Sequence, residues 1–172
     1  MRRIIVFCLA LILFATPKSM FAQQDSKPAE NRIHYYQLSF SVQDVGDDGK
    51  VSNNRAYKTS IATGSPEKQM IRTGDKMPIR TDNTGNAFQY VDIGVSIDCA
   101  NAQEVNGKLA VQVNAEISGA TKGTDLPAPL IRQNRWQANV LVPVAKPTVI
   151  FSSDHLQDKG KVQVELTATR ID

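Results

Sequence analysis

Cysteine is nearly absent from this 172-residue chain: Cys8 and Cys99 are the only two. Cys8 lies in an N-terminal apolar run, so Cys99 stands alone in the remainder of the chain and cannot close an internal bridge. A disulfide-stapled scaffold is therefore excluded. Histidine is as scarce, and His34 and His155 have no second His, Cys or carboxylate at ligand spacing, so each reads as a strand or loop residue. Aromatics make up 6% of the chain, with one tryptophan, too few for the two aromatic girdles of a single-chain membrane barrel. An excess of one charge is missing too. The formal charge of +3 comes from 20 Lys and Arg against 17 Asp and Glu. Arg2, Arg3 and Lys18 are the only charged residues among the first 22, and beyond them 17 bases balance 17 acids. Neutrality argues against a nucleic-acid partner or bulk attraction to anionic lipid.

Catalytic signatures are lacking as well. Ser152-Ser153-Asp154-His155 holds the residue types of a triad, but neighbours in sequence cannot converge as a triad does, and no G-x-S-x-G elbow accompanies them. Asp44, Asp47 and Asp48 beside Gly49 lack the alternate-oxygen register and closing Glu of a calcium loop. An Asp-Gly hairpin turn accounts for them. The sequence reads as that of a non-enzyme with no cofactor and no metal.

Residues 1–22 carry an address. The basic start Met1-Arg2-Arg3 leads into the apolar run Ile4–Ala15, then Pro17 and the small residue Ala22. That order is a secretory signal peptide. Its twelve apolar residues fall short of the about 20 needed to span a bilayer, although Lys18 leaves a retained N-terminal anchor as the alternative. The expected location is outside the cytoplasm, foremost the periplasm, with outer-membrane association or full secretion as variants. Gln23–Asn31 is polar, contains Pro28 and reads as a flexible lead-in. Residues 32–172 then form one all-β domain.

In that domain the hydrophobic period is two. Val91, Ile93, Val95, Ile97 and Cys99 share one face of Ala87–Cys99, against Tyr90, Asp92, Ser96 and Asp98. Leu109, Val111, Val113, Ala115 and Ile117 alternate with polar residues over Lys108–Ser118, as do Val162, Val164, Leu166 and Ala168 over Gly160–Asp172. Such alternation marks half-buried antiparallel strands, and it places Cys99 inside as a small apolar residue, with an intermolecular link as the alternative. Further strands are expected over Ile33–Val42, Arg55–Ala62, Met70–Arg72, Met77–Arg80, Leu130–Val142 and Thr148–Ser152. Turn signals at 46–49, 64–66, 83–86 and Asn106-Gly107 separate them. The fold class is an all-β, antiparallel β-sandwich-like domain of about eight to nine strands.

One stretch stands out as a candidate interaction surface. In Pro129–Trp136, strand alternation puts Arg132, Asn134 and Trp136 on one face and Gln133 and Arg135 on the other. Arg132, Arg135 and Trp136 combine the residue types enriched at binding hot spots. The structural reading is preferred over the interface one: Trp136 caps the core and the arginines lie over its edge or pair with acids.

From Met70 onward the order of features resembles the C-terminal module of bacterial secretins, the outer-membrane ring proteins of type II and III secretion and type IV pilus systems. Ile71-Arg72-Thr73-Gly74-Asp75-Lys76-Met77-Pro78-Ile79 is similar to that family's strand–Gly–strand segment. Tyr90-Val91-Asp92-Ile93-Gly94 resembles its Tyr-x-Asp-Val-Gly strand. Gly107–Ser118, Pro129–Val142, Lys146–Phe151 and Val162–Thr169 follow in the family's order. The resemblance covers about 70–171. Ser152-Ser153 stands where the family has Gly-Gly, eight residues separate Ser153 from Val162 where secretins carry a longer insert, and their repeated N-terminal domains have no counterpart. The resemblance thus implies a truncated secretin module: an accessory or oligomerising component of the cell envelope, binding itself or other envelope proteins, rather than a complete channel. The competing class is a monomeric β-sandwich binding module for a peptide or glycan.

Overall fold

The computed structural model describes residues 32–81, 87–121, 129–155 and 159–172. The expected leader and lead-in, 1–31, and the 83–86 turn lie outside the described residues. Among the described residues there are eight strands: β1 (Tyr35–Val45), β2 (Val51–Ala62), β3 (Gln69–Arg80), β4 (Phe88–Val105), β5 (Lys108–Thr121), β6 (Leu130–Pro143), β7 (Thr148–Asp154) and β8 (Lys161–Arg170). They form two four-stranded sheets, β2-β1-β8-β7 and β3-β4-β5-β6, and all ladder pairs are antiparallel. No helix occurs among the described residues.

The alternating apolar residues make one core. Tyr36, Leu38, Phe40 and Val42 of β1 and Val162, Val164, Leu166 and Ala168 of β8 are buried with Val95, Ile97 and Cys99 of β4 and Leu109, Val111, Val113, Ala115 and Ile117 of β5. The central strands of both sheets thus turn one face inward, and burying each large aliphatic side chain contributes roughly 1.5–3 kcal/mol. Asn106 and Gly107, with φ of 51° and 71°, close the β4–β5 hairpin in the left-handed pair that a tight hairpin turn demands. The 46–49 segment closes β1–β2: Gly46 N donates to Lys50 O at 2.9 Å, and Asp48 Oδ1 accepts from Lys50 N at 2.9 Å. Asp48 thus serves the hairpin, as does Asp44, whose Oδ2 accepts from Asn53 Nδ2 at 3.1 Å.

Three departures from strict alternation shape the rest. Met70–Arg72 and Met77–Arg80, expected as two strands, are one continuous strand. Gly74 pairs with Gly94 in unbroken register, and the two bare Cα atoms let the backbones lie close enough to continue. A bulge in β4 between Ala100 and Gln103, with Asn101 at φ 54°, shifts the parity. Ala102 is thereby buried, and Glu104 comes opposite Leu109, where its carboxylate accepts from Tyr36 Oη at 3.0 Å. A second bulge between Val149 and Phe151 brings Phe151 opposite the buried Val164. Both Ile150 and Phe151 then pack on the core.

Candidate interaction surface

The second sheet is longer than the core it covers. Pairing between β4 and β5 begins at Val95–Ile117, whereas β3 and β4 are paired out to Arg80–Phe88 and β5 and β6 out to Thr121–Leu130. The sheet therefore forks into two hairpin arms. The last stitch at the fork is Gly94 N donating to the hydroxyl of the buried Ser118 at 3.0 Å. Between the arms lies an open cleft of about 400 Å³, lined by Arg72, Lys76, Asp92, Glu116 and Ser118 among others.

The same sheet ends in two long edges. β3 and β6 are its outermost strands, of 12 and 14 residues, and neither has a ladder partner on its outer side among the described residues. Such edges present a row of main-chain donors and acceptors to any strand that can align with them. Of the usual protections, β3 has Pro78, which removes one donor. It also carries Arg72, Lys76 and Arg80 on its outward face.

Charges cross the outward face in register. Arg72, Ser96, Glu116 and Arg135 lie in one row across the four strands. Asp98, in the adjoining row, is an ion-pair partner of both Lys68, at 2.6 Å, and Arg72. Burial pushes its carboxyl upward, but the hydrogen bonds from Lys68 and Arg72 outweigh that and hold it below the usual carboxylate range. Glu116 accepts from Arg135 Nε at 2.9 Å and from Gln133, and these two bonds lower its pKa. Lys76 and Asp92 pair at 2.8 Å on the outer side of the arm. Both edges of this face are thus basic, with the acids between them.

The three residues singled out by the sequence all lie on the β6 edge strand but not on one surface. Trp136 faces inward, its ring stacked on Phe151 of the opposite sheet with centroids 4.1 Å apart and planes at 11°. Arg132 lies on the same inward side, opposite Gly119, whereas Arg135 points outward to Glu116. Sequence reading missed Asp75, which falls in the gap between the two strands expected there. In the continuous β3 it shares the inward face with Ile71 and Met77, opposite Ile93. It also missed Phe151, whose orientation depends on the bulge.

Among the described residues no cluster of three or more His, Cys, Asp or Glu could hold a metal ion. No helix among them is long and apolar enough to cross a membrane, which says nothing of crossing by strands.

No protein-family model matches the sequence, and no curated protein matches it. Solved structures do match its fold. The InvG secretin-domain β-barrel of the Salmonella SPI-1 injectisome is similar over 81% of this chain and 64% of that one, at 10% identity and a TM-score of 0.51. The near-atomic cryo-EM structure of the same secretin gives 81% and 65% coverage, 9% identity and a TM-score of 0.53. InvG in the basal-body model with PrgH and PrgK gives 81% and 46%, 9% and 0.53. This chain therefore spans less than two thirds of the length of each of these InvG chains. Its two antiparallel sheets, the second of them forked, have the fold of a secretin domain.

Proposed function

We propose that this protein is an exported, non-enzymatic structural component of the cell envelope that associates with itself as a secretin-like oligomerising unit. The observation that carries this reading is the pair of long edges, β3 and β6, on a sheet too small to close by itself. Adding a strand across such edges satisfies main-chain groups that are otherwise left to water. The similar InvG domain is described as a β-barrel, an architecture that leaves no edge open. Its occurrence in a basal body with PrgH and PrgK supports other envelope proteins as further partners. The competing reading is a monomeric module that grips a peptide or glycan with its end loops or with the Arg132–Trp136 face, and the latter calls for an outward tryptophan. The Trp136 ring instead stacks on Phe151 within the fold.

The test is fractionation after expression of the full chain in a Gram-negative host, with amine cross-linking of intact cells. Recovery in the envelope fraction with a ladder of cross-linked multiples is the expected result. A cytoplasmic, uncross-linked protein overturns the proposal.

A further inference from the structure

Each open edge of the second sheet carries one inward-facing charge, and the two have opposite sign. Asp75 sits on β3 in the apolar stripe formed with Ile71, Met77, Val91 and Ile93, and among the described residues no ion pair or hydrogen bond holds its carboxylate. Arg132 sits on β6, in line with Asn134 and Trp136. Because β3, β4, β5 and β6 alternate in direction, β3 and β6 run oppositely. The β6 of one copy therefore meets the β3 of the next antiparallel, with inward faces together.

Building on the self-association proposed above, we infer that one copy's β6 adds to the next copy's β3 in a single register, selected by Asp75 and Arg132. Registers that keep these two within one cross-strand step are three. Directly opposing them also sets Arg72 against Arg135 on the outward face, and like charges opposite one another destabilise a sheet. Sliding one way ends the overlap at Asp75 and Trp136. Sliding the other way pairs Gln69–Ile79 with Leu130–Val140, puts Asp75 opposite Asn134 and diagonal to Arg132, and sets Arg72 against Gln137 and Lys76 against Gln133. A diagonal neighbour is within reach of a long side chain. Amides then face the outward bases, and Thr73 meets Trp136. The rival role for an inward charge on an edge strand is to repel any added strand, and the two roles predict opposite effects.

Charge exchange decides between them, read as the association constant by sedimentation, with circular dichroism confirming the β fold. Asp75→Arg and Arg132→Asp are each expected to weaken association by about tenfold, a change of roughly 1.4 kcal/mol, and the double exchange to restore it. Asp75→Asn and Arg132→Gln, which keep shape, are expected to weaken it less. Lys76→Cys with Gln133→Cys is expected to yield a disulfide-linked ladder on oxidation, whereas Arg72→Cys with Gln133→Cys yields none. Stronger association in either neutral variant overturns the inference in favour of edge guarding. An associating wild type with no rescue and no ladder overturns this register alone. A wild type that stays monomeric overturns the self-association beneath it.

Discussion

Gly74 and Gly94 stand directly opposite one another at the fork of the second sheet, each occupying the space a side chain on the other would need. A Cβ on Gly74 would overlap the carbonyl oxygen of Ile93, and one on Gly94 would overlap that of Thr73. Gly94 also adopts φ 146°, which disfavours any L side chain.

Gly94→Ala is therefore expected to cost about 1–3 kcal/mol and to lower Tm by several degrees. Gly74→Ala acts on the same contact and falls in the same range. Alanine at Gly119, where nothing lies within 4 Å of an added Cβ, is the control and leaves Tm nearly unchanged. Thermal unfolding of the three variants checks this, and equal Tm values for all of them would remove the close approach at the fork.

The stack of Trp136 on Phe151 joins the edge of one sheet to the edge of the other. Trp136→Ala loses the stack and part of the core, an expected loss of about 2–4 kcal/mol, while Trp136→Phe retains most of it. Urea unfolding measures both. Wild-type stability in the alanine variant would show that the ring makes no structural contribution.

Strand-level architecture was legible because alternation is a local signal. Val95, Ile97 and Cys99, or Val162 through Ala168, declare their face without reference to anything distant. What was illegible depends on breaks in that period. The bulge at Asn101 reverses parity and carries Glu104 to Tyr36, and the bulge at Ile150 turns Phe151 toward Trp136. Neither position holds the glycine that often marks a bulge. Over residues 73–76 a strand continues where a break between two strands was expected. Gly74 interrupts the apolar alternation, yet the partner glycine at position 94, twenty residues on, lets the two strands pair without a gap. Arg132, Arg135 and Trp136 were correctly split between two faces by alternation, but the Glu116 partner of Arg135 and the Phe151 partner of Trp136 come from other strands that no local pattern connects.

Cys99 is buried among the core residues of both sheets. Burial pushes its thiol up to about 12, and the Asp98 charge adds to the effect. A neutral, enclosed thiol reacts poorly. The expected outcome at pH 8 is negligible alkylation of Cys99 in the folded protein and its complete alkylation in denaturant, read by peptide mass spectrometry. Rapid labelling of the native chain would contradict the packing described around β4.

Acid is expected to weaken the fold through Asp98. Its pKa is lower folded than unfolded, so the stability it contributes is fully present above about pH 4 and is lost as pH falls through the folded value. Asp172 has the same sign: hydrogen bonds from His34 and Arg170 hold it at about 2. Asp98→Asn is expected to cost about 1 kcal/mol near neutral pH and to flatten the acid limb of the stability profile. Urea midpoints across pH 2–7 for both proteins test this, and parallel profiles would rule out a role for the Lys68–Asp98–Arg72 network.

Self-association through the β3 and β6 edges is the claim on which the functional account rests, and light scattering coupled to size exclusion tests it most directly. The full chain has a mass of 18.9 kDa, and the measurement is made with and without mild detergent. The account predicts one discrete multiple of the chain mass in at least one of the two conditions. A single-chain mass in both, at every concentration, would contradict it.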